Sequence, residues 1–282
     1  MYDIILDTLM DGIRLLPFLF VTYIVMEYIE HKMSAGTRRV VQASGRFGPL
    51  IGSIAGIFPQ CGFSAAAASL YAGRVITCGT LIAIFLSTSD EMLPVFISQQ
   101  VPVKIILSVL GMKVIIGMVA GFLVDLVFTL VKKEPEMDIH HMCEHDHCHC
   151  EDGILKSALV HTAQIFFFII LVSFILNLII AGIGEDSLTE LILNQPLIGS
   201  LLSGIVGLIP NCAASVVITQ LYLDGAMSLG AMMSGLLVGA GVGLIVLYRT
   251  NDSLRDNLKI TAILYVIGVA AGIVVDFLGI TL

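Results

Sequence analysis

The chain has no tryptophan and little charge, since Asp, Glu, Lys and Arg make up only 13% of its 282 residues. With 57% hydrophobic residues and a mean hydropathy of +0.99, that scarcity excludes a soluble domain and implies an integral membrane protein. Without tryptophan, tyrosine and charged residues must mark the membrane interfaces. No basic stretch precedes the first apolar run in "MYDIILDTLMDG", so residues 12–31 are expected to remain as a first span rather than be cleaved as a signal. No GxxxxGK[ST] motif occurs, so ATP does not drive this chain from within. The six cysteines do not form a secreted disulfide framework, because three lie in apolar segments and three share a tract with histidines.

Long apolar runs are what the chain has in place of charge. Residues 12–31, 75–98, 104–131, 157–183, 225–248 and 258–280 each approach or exceed the roughly 20 residues that cross a hydrocarbon core as a helix. The expected fold class is an all-α polytopic membrane bundle.

The chain is also written twice. Shifted by 151 residues, Gly56, Pro59, Cys61, Ser64, Tyr71, Gly79, Gly117, Gly121 and Asp125 fall on Gly207, Pro210, Cys212, Ser215, Tyr222, Gly230, Gly268, Gly272 and Asp276. Two homologous halves, 1–131 and 154–282, are then joined by a linker, 132–153. Basic residues follow the first span (Lys32, Arg38, Arg39, Arg46), flank the linker (Lys132, Lys133, Lys156) and cluster between the last two spans (Arg249, Arg255, Lys259). If all are cytoplasmic, the N-terminus is outside and the linker inside. The segments 47–73 and 197–223 must each begin and end on one side, as hairpins turning at "PQC" and "PNC". About five helical segments per half then insert in opposite orientations, as two inverted repeats. Arms as short as 50–58 and 62–73 rise about 1.5 Å per residue and so reach mid-membrane; tilted pairs of full spans are the alternative.

Backbone irregularity at that depth is tolerated only in packed protein or along a wet cavity, so both tips are candidate substrate sites. Pro59 and Pro210 remove a donor and are expected to leave carbonyls near Ala55 and Val206 without helical partners. Asn211 and Gln60 can cap the returning arms, where Cys61 and Cys212 occupy the first turn and Ser64 and Ser215 the next. Two facing thiols suit a soft or borderline metal or a thiophilic metalloid. "STSDE" adds Ser87, Thr88, Ser89, Asp90 and Glu91 within a span. An intramembrane carboxylate there, Asp90 in preference, can bind a cation or relay protons, with the hydroxyls adding oxygens. Lys113 is a candidate counter-ion, and Asp125 and Asp276 are weaker candidates near helix ends. Glycines 117, 121, 235, 239 and 243 repeat at four-residue spacing and are read as close packing. Tyr71 and Tyr222 are read as interfacial anchors.

In the linker, "HHMCEHDHCHC" (residues 140–150) makes every side chain a potential ligand. His140, His141, Cys143, His145, His147, Cys148, His149 and Cys150 lack paired CxxC spacing, so a flexible metal-capturing tract fits better than a structural zinc site.

The duplicated "PQCGFS" and "PNCAAS", the "GTLIAIFLSTSDEMLP" run and the His/Cys linker resemble the ten-helix heavy-metal exporters, a family related to arsenic permeases and also labelled a manganese transporter. That resemblance implies an inner (plasma) membrane efflux permease with ten helical segments. One Cys per tip departs from the "CSC"-type site of arsenic permeases, and manganese, a hard cation, would prefer the oxygens of Asp90, Glu91, Gln60 and Asn211. The resulting expectation is a secondary transporter exporting a divalent or heavy metal or a metalloid. It is not an enzyme; its metal is cargo and no resident cofactor is expected. Membrane lipid is a partner, nucleic acid is not, and a homo-oligomer is allowed. A carrier of small anions at half-helix N-termini and a membrane-embedded thiol enzyme using Cys61 and Cys212 are the alternatives.

Overall fold

The computed structural model describes residues 45–57, 61–89, 92–131 and 196–280, with separate helical positions within 13–24 and 155–175. The linker 132–153 and most of the first and fourth apolar runs lie outside the described residues. In the first half, α1 (Gly48–Ala55) and α2 (Cys61–Ala72) precede α3 (Cys78–Ser87), α4 (Met92–Ser98) and α5 (Val103–Val131). In the second, α6 (Pro196–Gly207) and α7 (Cys212–Leu223) precede α8 (Leu229–Val238), α9 (Val242–Thr250) and α10 (Leu254–Phe277). Among the described residues the chain is all-helical, without a strand.

Among the described residues four stretches are long and apolar enough to cross a membrane: Cys78–Ser98, Val103–Leu130, Leu229–Thr250 and Leu254–Phe277. Their surroundings differ sharply, the first and third being 75% and 89% buried in protein against 39% and 33% for the other two. The central pair is therefore Cys78–Ser98 and Leu229–Thr250, while α5 and α10 turn Ile115, Val119, Leu123, Val266 and Val274 outward, where lipid can cover them. Both central stretches are interrupted. α3 ends at Ser87 before Thr88 and Ser89, and α8 ends at Val238 before Gly239–Gly241, where Gly241 takes φ +52. The apolar runs 75–98 and 225–248 thus hold candidate spans, each divided into two helices. Thr88 and Ser89 follow the first helix of one, and a positive-φ glycine, which only the absence of a Cβ makes inexpensive, interrupts the other.

Packing repeats at the offset seen in the sequence. Within the first half α1 packs on α3 and α5, and α3 on α5; within the second α6 packs on α8 and α10, and α8 on α10. Between halves the pairing is reciprocal, since α2 packs on α9 and α7 on α4. Lipid is as apolar as a leucine side chain, so close backbone approach and buried hydrogen bonds must hold these contacts. The glycines supply the approach: a Cβ on Gly117 would stand 2.8 Å from the Ala83 carbonyl, and one on Gly243 would stand 2.8 Å from the Ser64 Cβ.

The same polar clamp secures α3 and α8. Thr77 caps α3 by accepting the Thr80 N–H at 3.1 Å, and Ser228 caps α8 by accepting that of Ala231 at 3.1 Å. Asp125 of α5 accepts from the Thr77 hydroxyl at 2.7 Å and from the Gly79 N–H at 2.7 Å. Asp276 of α10 accepts from Ser228 and the Gly230 N–H, both at 2.8 Å. The two aspartates, read from the sequence as weaker candidates near helix ends, lie against the N-terminal ends of neighbouring helices, which favour a carboxylate.

Candidate functional site

The interruptions in α3–α4 and α8–α9 bring the site together. α3 contributes ten consecutive buried residues and α8 does the same, so the carbonyls freed where they stop would be costly to leave unpaired. Lys113, in the middle of α5 and 1% exposed, meets that need on both sides. Its ammonium donates to the carbonyl of Thr88, the residue that follows α3, and to the Leu236 carbonyl of α8 at 2.9 Å. Leu236 needs an outside donor because the Ala240 N–H, four residues on, bonds to Val238 at 2.8 Å. One ammonium thus joins the C-terminal ends of two half-helices, one from each half, where the macrodipoles are negative. The equivalent position in the second half is Leu264, which is fully buried.

The hydroxyls expected at the site line this junction. Ser87, Thr88 and Ser89 are all buried. Ser87 donates to the Ala83 carbonyl at 2.7 Å, Thr88 to Ile84 at 2.8 Å and Ser89 to Ser87 at 3.1 Å. Their hydrogens face the backbone, leaving lone pairs for a further donor or cation.

The ends of α1 and α6 lie against α3 and α8. A Cβ on Gly56, at the end of α1, would strike the Ser87 hydroxyl, and one on Gly207, at the end of α6, would strike the Gly235 carbonyl. A Cβ on Gly239 would be 3.7 Å from the Ser215 hydroxyl, so Ser215 borders the second break while Ser64 packs on the first turn of α9. Pro210 and Asn211 form the second tip, half-buried. There the expectation about Val206 is corrected: its carbonyl accepts the Ile209 N–H at 3.0 Å, because the chain tightens into a three-residue turn that satisfies it without Pro210. Cys61 and Cys212 open α2 and α7, but their side chains lie outside the described residues, as do Pro59, Gln60, Asp90, Glu91 and His140, His141, Cys143, His145, His147, Cys148, His149 and Cys150. Among the described residues no group of three or more His, Cys, Asp or Glu side chains is gathered as for a metal.

Sequence reasoning missed the role of Asp125 and Asp276 as clamps and the backbone partners of Lys113. A signal for the first existed, since Gly79–Asp125 and Gly230–Asp276 have the same separation in both halves. Tyr71, read as an interfacial anchor, is buried and donates to Asp256 at 2.7 Å.

Paired interrupted spans enclosed by outward-facing apolar helices define a multi-pass helical membrane protein with its irregular backbone kept inside. Residues 1–192 match the family described as "Putative, 10TM heavy-metal exporter", and the chain belongs to that family. No curated protein and no solved structure matches it.

Proposed function

We propose that the chain is a secondary-active permease exporting a divalent or heavy metal ion, manganese among them, or a metalloid, across the plasma membrane. The observation that carries this reading is the pair of interrupted spans whose ends meet at Lys113, with the ends of α1 and α6 packed beside them. Broken helices that expose carbonyls and hydroxyls inside a bundle are how secondary transporters build ion sites away from lipid. Family membership supplies the class of cargo. Around this junction Cys61, Cys212, Gln60, Asn211, Ser64, Ser215, Asp90 and Glu91 would offer both soft and hard ligands. The two halves, inserted as inverted repeats, would alternate access around it. The His/Cys tract 140–150 would collect metal on the cytoplasmic side before export.

One observation favours a second cargo class: the buried ammonium of Lys113 favours an anion beside it, such as an oxyanion of a metalloid. Flux into proteoliposomes separates the cases, using Mn2+, Zn2+, Cd2+, arsenite and arsenate with wild type, Cys61→Ser/Cys212→Ser and Asp90→Asn. Metal flux lost in the variants supports the site as drawn. Flux unchanged in every variant rejects the site, and flux of arsenate alone rejects cation export.

A further inference from the structure

The two hairpins end in the same turn built from different chemistry. After α2 the N–H groups of Arg74 and Val75 bond back to Tyr71 and Leu70, each at 2.9 Å; after α7 those of Gly225 and Ala226 bond to Tyr222 and Leu221, each at 3.0 Å. Such a turn needs a left-handed residue, and Gly225 (φ 72) and Arg74 (φ 56) both comply. Glycine adopts that conformation freely, whereas a side chain is strained there. An arginine at this position has to gain something through its side chain.

Its ionic partner is in the other half. The Arg74 guanidinium reaches Asp256 of α10 at 3.7 Å and stacks over the Tyr71 ring at 5.1 Å, while the Tyr71 hydroxyl donates to Asp256 at 2.7 Å. Asn251, after α9, donates to Asp256 at 3.3 Å and accepts from the Asn257 side chain on its carbonyl at 2.9 Å. The first turn of α10, which carries Asp256, is therefore itself braced. At the other hairpin the positions of Arg74, Asp256 and Asn257 are held by Gly225, Ile105 and Ile106, which can form no such ion pair.

We propose that the hairpins have divided roles. The first, α1–α2, is pinned to the second half by the Tyr71–Asp256–Arg74 latch and forms the fixed wall; the second, α6–α7, is the element that moves. What the moving hairpin gates rests on the transport reading, whereas the pinning does not. The latch lies beside Arg249, Arg255 and Lys259, which the charge rule assigns to the cytoplasmic face.

Hydrogen–deuterium exchange of the full chain in nanodiscs, without metal, tests this. Wild type should exchange faster across 212–223 than across 61–72. Arg74→Gly copies the second hairpin and relieves the backbone, so a folding defect is not its expected effect. It and Tyr71→Phe should each raise exchange in 61–72 about tenfold and leave 212–223 unchanged. Equal exchange of the two hairpins in wild type, or no rise in 61–72 in either variant, overturns the proposal. Mn2+ flux is measured in parallel: a chain that exchanges as stated but moves no metal sinks the transport reading and leaves the division between hairpins standing.

Discussion

Asp276, one residue from the C-terminal end of α10, accepts the Gly230 N–H at 2.8 Å. A carboxylate is disfavoured at the C-terminal end of its own helix, and it gains by lying against the N-terminal end of another. Asp125 makes the same contact with Gly79 at 2.7 Å, so the clamp occurs at both positions related by the 151-residue offset.

Removing this charge should cost stability. Asp276→Ala strands the Gly230 N–H and the Ser228 hydroxyl, and hydrogen bonds to a charged group contribute about 1.5–3 kcal/mol each. Asp276→Asn keeps one acceptor and should lose less. Thermal unfolding in detergent is expected to rank wild type above Asp276→Asn and Asp276→Ala lowest, and Asp125 variants should follow the same order. Equal midpoints for all three would show that the clamp contributes nothing.

Lys113 should be needed for the meeting of the two breaks. Lys113→Leu copies the second half, where Leu264 stands, but leaves the Thr88 and Leu236 carbonyls without the ammonium, at about 1–3 kcal/mol for each buried group left unsatisfied. The unfolding midpoint should fall and metal flux should be lost. Lys113→Arg retains the charge in a larger planar head that the packed junction has no room to turn, so it should restore little. Full flux in Lys113→Leu would remove the junction from the transport site.

How far the sequence could be read depended on where each residue's partner lies. The matching packing of α1, α3 and α5 and of α6, α8 and α10 was legible because Gly and Asp recur in constant register. The interruption at Gly239–Gly241 was not. Gly235 and Gly243 do pack as their spacing suggests, with the Ser203 hydroxyl and the Ser64 Cβ in the way of any added carbon, but the same stripe hides Gly241, whose positive φ no pattern of side chains announces. Lys113 was noticed as a buried charge, yet its partners are backbone carbonyls, which leave no mark in a sequence. Tyr71 reads as an interface residue until the fold brings Asp256, 185 positions away, to its hydroxyl.

The contact between halves at Gly243 should be tight enough to measure. A Cβ there would lie 2.8 Å from the Ser64 Cβ and 2.9 Å from the Phe85 ring, and overpacking of this kind costs about 1–3 kcal/mol. Gly243→Ala should destabilise the chain, and Ser64→Gly in the same chain should recover part of the loss. A double-mutant cycle of unfolding midpoints tests it; strictly additive effects would mean that α2 and α9 do not meet there.

The His/Cys tract should act on capture rather than on turnover. Residues 140–150 contain five His and three Cys, ligands that hold soft and borderline ions better than hard ones. Deleting them should lower the amount of Zn2+ or Cd2+ bound by the full chain far more than the amount of Mn2+. Binding should also weaken as pH falls, because these groups ligate only when deprotonated. The junction at Lys113 is untouched by the deletion, so flux at saturating metal should be unchanged while the concentration needed for half-maximal flux rises. Maximal flux that falls with the tract removed would instead make these residues part of the pathway itself.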